Sequence, residues 1–124
     1  MDKKVGWGVL GCAGIAEKAF IPAVNASRNG FLAAIAARDE AKARAWAVRY
    51  DIRAALRTYR DVVDDQTVDA VYIPLANHLH AEWAVRALDA GKHVLCEKPL
   101  ALDAAEAGAM IAAAGRNRVL LMEG

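Results

Sequence analysis

The features that would commit this chain to a membrane, an export route or nucleic acid are missing. Nowhere does it reach the roughly 18 continuous apolar residues that a spanning helix needs. The start, Met1-Asp2-Lys3-Lys4-Val5, has no signal-peptide hydrophobic region or cleavage site, so a reducing, cytoplasmic location is the expectation. Sixteen Lys and Arg are balanced by 15 Asp and Glu, and the basic residues are spread along the chain. That leaves no stripe for nucleic acid and no patch for a membrane surface. There is no internal repeat, low-complexity tract or linker. The 124 residues fit one domain with a real core and leave no room for a second of comparable size.

Cysteine is scarce as well. Cys12 lies just after the first strand and Cys96 ends a much later one, and the fold deduced below sets those strands roughly 9–10 Å apart, at about 4.8 Å per strand. A disulfide needs Cα atoms within about 7 Å, so two free thiols are expected.

What is present is apolar residues, 56% of the chain, much of them alanine, in a pattern of alternating strands and helices. Val5 to Leu10 is nearly all apolar, as a strand covered on both faces should be. A helix follows from Ala13 or Gly14 to Ala26, with Ile15, Ala19, Ala23 and Ala26 as its apolar stripe, Phe20 and Val24 widening it, and Pro22 bending it. Asn29-Gly30 turns the chain into a strand over Phe31 to Ala37. Asp39 caps a helix to Val48 whose Ala41, Ala45 and Val48 face inward, with Trp46 wedged against the sheet. A short strand near 54–56 and a Thr58-x-x-Asp61 capping box lead to Val68–Ile73, a strand stopped by Pro74. Asn77 caps a helix over 78–90 that ends at a left-handed Gly91. His93 to Cys96 is a strand, Asp103-x-x-Glu106 opens a helix stopping at Gly115, and Val119 to Met122 closes the series. Short connections between alternating elements predict an α/β, doubly wound, mainly parallel six-stranded sheet of Rossmann type, order 3-2-1-4-5-6.

In such a sheet ligands bind beyond the strand carboxyl ends, where the winding reverses between strands one and four. Four segments arrive there. The first is Gly11-Cys12-Ala13-Gly14-Ile15-Ala16. Against Gly-x-Gly-x-x-Gly it keeps only Gly11 for the tight turn, with Ala13 small enough for a pyrophosphate to approach and Ala16 in the permitted packing position. A purely structural strand–helix corner would read the same. The second is Arg38, standing where an acidic residue would read a free ribose 2′-hydroxyl. A guanidinium there suits a 2′-phosphate and favours NADP over NAD, unless it is simply an exposed strand-end arginine.

The third is Pro74 to His80. Asn77 and His80 can hydrogen-bond cofactor or substrate, or merely cap and cover a helix start. Their spacing matches no zinc pattern, so no metal is expected. The fourth is Glu97-Lys98-Pro99. Proline keeps Lys98 out of the helical region and aims its ammonium, which can stabilise developing negative charge on a substrate oxygen, with Glu97 holding it in place. A surface ion pair is the plain alternative.

Together these residues resemble the nucleotide-binding domain of the glucose–fructose oxidoreductase / inositol dehydrogenase / rhizopine-catabolism family. The resemblance rests on the Gly11–Ala16 loop, Ala37-Arg38-Asp39, Tyr59-Arg60-Asp61, Val68–Ile73, Asn77-x-x-His80, the run Ala87 to Val94 and Glu97-Lys98-Pro99. It implies hydride transfer between a nicotinamide, NADP or NAD, and a carbinol carbon of a sugar, polyol or diol. Lys98 would contact the reacting oxygen, Asn77 and His80 would lie along the cofactor, and Pro99 would help present Lys98. Ala76 and Ala37 depart from the family's usual proline and serine. The resemblance also implies an absent substrate domain, which carries the second acid/base group and the usual dimer contact. The 124 residues would then bind dinucleotide but turn over little. A non-catalytic dinucleotide-binding or protein-interaction module, or a domain that folds alone, are the alternatives.

Overall fold

The computed structural model describes residues 3–124; Met1 and Asp2 lie outside the described residues. The strands are β1 (Val5–Leu10), β2 (Gly30–Ala36), β3 (Ala54–Ala55), β4 (Ala70–Ile73), β5 (His93–Cys96) and β6 (Leu121–Glu123). They form one sheet in the order β3-β2-β1-β4-β5-β6, with every neighbouring pair parallel. This is the doubly wound Rossmann arrangement predicted from the alternation. Side chains alternate across the sheet and fill two cores. Val9, Leu32, Ile35 and Tyr72 pack on one face, and Leu10, Ala36, Val71 and Ile73 on the other.

β1 can sit at the centre because two of its residues have no side chain. A Cβ on Gly6 would meet the Thr67 carbonyl oxygen at 2.1 Å, and one on Gly8 would meet Val62 Cγ1 at 2.5 Å. The approach is used: Gly6 N–H donates to Asp69 Oδ2 at 2.8 Å, and Asp69 N–H donates back to the Gly6 carbonyl at 2.7 Å.

Two helix faces differ from expectation. After the first loop, Ala16–Phe20 forms a π-turn in which the Ile21 N–H reaches the Ala16 carbonyl, and α1 (Ile21–Ala26) follows with Pro22 in its first turn. Pro22 has no N–H to continue the α-helical ladder, and the five-residue bond shifts the phase by one residue. Ala16, Phe20, Ile21 and Val24 are therefore buried, whereas Ile15, Ala19, Ala23 and Ala26 are exposed. In α2 (Glu40–Arg49), Asp39 Oδ1 caps the Lys42 N–H at 3.1 Å as predicted, but Ala43 and Trp46 face the core. Ala41 and Ala45 are exposed and Val48 is 88% exposed. The indole decides the rotation, because burying it removes more apolar area from water than burying any alanine.

The remaining helices are α3 (Tyr59–Asp64), α4 (His80–Asp89) and α5 (Ala104–Asn117). Thr58 Oγ1 and Asp103 Oδ1 cap α3 and α5, accepting from Asp61 and Glu106 N–H at 3.1 and 2.8 Å. Asn77 is not a cap; it opens a 3₁₀ turn, Asn77–Leu79, that leads into α4 without a side-chain cap bond. Gly91 is left-handed as read, at φ 82°. α5 runs past Gly115 because Arg116 and Asn117 fasten its last turn to Asp89 of α4, at 3.0 and 2.7 Å. No helix of the described residues is long and apolar enough to cross a membrane.

Gly6→Ala should cost about 1–3 kcal/mol, since backbone must move to admit the methyl group. Val48→Lys should stay within about 0.5 kcal/mol of wild type. Urea unfolding midpoints of the two variants check both the close approach and the corrected helix face.

Candidate functional site

All six strands point their carboxyl ends to one edge, and the loops after β1, β2, β4 and β5 lie side by side there. The loop after β1 is built around Gly11, which is buried at φ 99° and donates its N–H to the Ala36 carbonyl at 2.7 Å. A Cβ there would press on Leu75 Cδ2 at 3.2 Å, so glycine serves both the turn and the contact with the loop after β4. Cys12 and Ala13 are half-buried, Gly14 is exposed with open space around it, Ile15 is exposed, and Ala16 is fully buried under the turn. Among the described residues, the N–H groups of Cys12, Ala13, Gly14 and Ile15 have no backbone acceptor. Four consecutive donors at a helical start make a cradle that fits an anion such as a pyrophosphate.

Arg38 is exposed at the end of β2, and Asp39 beside it is committed to its cap. Two neighbours to which sequence reasoning gave no role in the site join it. Lys42, in the first turn of α2, lies near enough to the Cys12 thiol to pull against the effect of burial on it. Tyr59 also arrives here: burial pushes its hydroxyl above the usual phenol range, and the charge of Arg38 opposes that shift. The signal for Lys42 was present, because a cation in the first turn of a helix opposes the helix dipole and needs another reason to be there.

On the other side of Gly11, Pro74 is half-buried and Asn77 exposed. His80 is 1% exposed, with Nδ1 2.8 Å from the Pro99 carbonyl oxygen and Nε2 2.7 Å from that of Leu75. It is neither a surface cap nor free to lie along a cofactor. Both its ring nitrogens lie within hydrogen-bond distance of main-chain carbonyl oxygens. Lys98 and Pro99 are exposed on the loop after β5. Glu97 does not hold Lys98; its carboxylate accepts from the Tyr72 hydroxyl at 2.6 Å. Successive residues leaving a strand point to opposite faces, which separates the two charges. Burial first, then Glu97, raises the Tyr72 hydroxyl above its usual range.

Residues 5–124 match the model of an oxidoreductase family with an NAD-binding Rossmann fold, the family that the loop and strand-end motifs resemble. The chain belongs to that family. This oxidoreductase domain is similar to the D-xylose 1-dehydrogenase (NADP(+)) 2 of Haloferax volcanii, at 50% identity over 94% of this chain and 36% of the relative. It is 42% identical to the dTDP-3,4-didehydro-2,6-dideoxy-alpha-D-glucose 3-reductase of Saccharopolyspora spinosa, over 99% of this chain and 37% of the relative. Among solved structures, a 3-ketoreductase from Actinomadura kijaniata in complex with NADP and TDP-benzene superposes with a TM-score of 0.94. Identity there is 41%, covering 98% of this chain and 37% of that one. The chain spans about a third of the length of the curated relatives it matches.

The oxidoreductase domain keeps both cysteines free, Cys12 at the loop and Cys96 at the end of β5. Burial pushes the Cys12 thiol from 9.0 up to about 11, with Lys42 pulling against it. Burial, then Glu123 and Glu97, push Cys96 up to about 12. Both folded values lie above the unfolded one, so this contribution to stability is complete below pH 9.0 and is lost as pH rises toward 11 and 12. Urea midpoints should therefore fall over that alkaline range, less steeply in Cys96→Ala. Maleimide labelling of either thiol should be slow at neutral pH.

Proposed function

We propose that this chain is the cofactor-binding part of an NADP-dependent oxidoreductase acting on a sugar, polyol or related diol. A second domain would supply the substrate contacts and the other acid/base group. The observation that carries the reading is the convergence, at one sheet edge, of the Gly11–Ala16 cradle, Arg38 and Lys98 around the winding reversal. The relatives, a D-xylose 1-dehydrogenase (NADP(+)) and a dTDP-3,4-didehydro-2,6-dideoxy-alpha-D-glucose 3-reductase, support both the cofactor and the substrate class.

In this reading each loop has its own task. The free N–H groups of Cys12, Ala13, Gly14 and Ile15 bind the pyrophosphate, and Ala16 packs the helix close beneath it. Arg38, with Lys42 beside it, neutralises a 2′-phosphate. Pro74 follows β4 at the cleft, and Asn77 lies exposed in the next loop, where its amide can hydrogen-bond the cofactor. When bound, the nicotinamide takes up or delivers the hydride. Lys98 donates a hydrogen bond to the reacting substrate oxygen and stabilises the charge that builds there. Pro99 limits the backbone that aims it. Glu97, turned to Tyr72, anchors the loop from the opposite face of the sheet. The cytoplasm suits two thiols that remain reduced.

By itself, with Lys98 at an open cleft that does not exclude water, the 124-residue chain should bind dinucleotide and turn over little or no sugar. Calorimetry checks the first half. NADP should bind more tightly than NAD, and Arg38→Ala should weaken NADP by about tenfold, the worth of a charge-assisted contact, while leaving NAD nearly unchanged. Equal or tighter binding of NAD would remove the NADP assignment. Rapid sugar oxidation by the isolated chain would remove the need for a second domain.

A further inference from the structure

His80 is the buried polar side chain of this core, and its two ring nitrogens reach two different loops. Leu75 belongs to the loop after β4, and its side chain lies over Gly11. Pro99 belongs to the loop after β5 and follows Lys98 directly. A carbonyl oxygen only accepts, so the ring serves both at once when each nitrogen carries a proton, and a neutral ring serves one. The first residue of α4 thus spans the gap between the phosphate-loop side of the cleft and the lysine side.

Lys98 needs such support. Its side chain is exposed, and none of the ion pairs among the described residues includes it. Its direction is therefore set by the main chain that carries it. That main chain is held where it enters, by Glu97 N–H on the Ile73 carbonyl at 3.0 Å. It is held where it leaves, by Leu100 N–H on Glu123 Oε2 at 2.8 Å. Between these two points His80 grips the residue adjacent to the lysine.

We infer that His80 is a positioning residue for Lys98, fixing it through the Pro99 carbonyl at a set distance from the loop over Gly11. The inference rests on the role given to Lys98 above. Binding of dinucleotide at the Gly11 loop does not need the clamp; delivery of the ammonium to a substrate oxygen does.

Two substitutions separate the two halves of the clamp. The amide nitrogen of asparagine falls where Nδ1 stood and can still hold Pro99, whereas that of glutamine falls where Nε2 stood and can hold only Leu75. Hydride transfer is measured in the full-length polypeptide carrying this chain, as wild type, His80→Asn, His80→Gln and Lys98→Met. NADP affinity by calorimetry is the control for folding. His80→Asn should keep kcat within about threefold of wild type, and His80→Gln should lose about tenfold or more, the scale expected for a misaligned catalytic group. In both, sugar KM and NADP affinity should change by less than about threefold. Any other pattern between the two variants, or a loss carried by KM or NADP affinity, would overturn the inference. If kcat survives Lys98→Met, the reading of Lys98 falls and the inference falls with it. If Lys98→Met is inactive while the two His80 variants behave alike, only the positioning role is lost.

Discussion

Everything at the cleft depends on β1 being paired in parallel on both sides, with β2 and with β4. The chain winds one way from β1 through β2 to β3 and the other way from β4 through β5 to β6. Helices therefore leave on opposite faces of the sheet and a crevice opens above β1. Gly11 stands at that crevice with neighbours on both sides: its N–H goes to Ala36 in β2, and its missing side chain makes room for Leu75 after β4. Gly6 and Gly8 do the same work lower in the strand, where the chain entering β4 lies against β1. A central strand built from ordinary side chains would have pushed these neighbours apart and closed the crevice.

The two sides of the crevice work by different physics. On the β2 side, charge dominates: Arg38 and Lys42 stand near the half-buried loop, and Asp39 is kept occupied as a cap. On the β5 side, main chain dominates: Lys98 is exposed, and the carbonyls of Leu75 and Pro99 lie within hydrogen-bond distance of a buried imidazole. Glu97 is drawn away from Lys98 by Tyr72, whose ring stacks on Phe20 at 3.9 Å between centroids; Trp7 meets Phe20 edge-on at 5.1 Å. The aromatic cluster thus consumes the one carboxylate adjacent to the lysine. That leaves Lys98 outside the ion pairs of the described residues.

Much of this was legible in the residues. Apolar runs divided by caps and turns identified the six strands and their order, and Asp39, Thr58, Asp103 and Gly91 do locally what their positions implied. The loop at Gly11 and the strand-end groups Arg38 and Lys98 were found because a parallel sheet places every strand end on one edge. Helix rotation was not legible. Ile15 and Val48 fit an apolar stripe on paper, yet a π-turn before Pro22 and the bulk of Trp46 turned other residues inward.

The sequence by itself determined which segments are strands and helices and which strand-end loops reach the cleft, because caps, turns and periodicity act over a few neighbouring residues. Only the tertiary structure decided what each polar group at the cleft is free to do. Glu97 is spent on Tyr72 and His80 on Leu75 and Pro99, through contacts 25, 5 and 19 residues apart in sequence. Which donor meets which acceptor is settled when the loops pack together. Spacing along the chain does not record that competition.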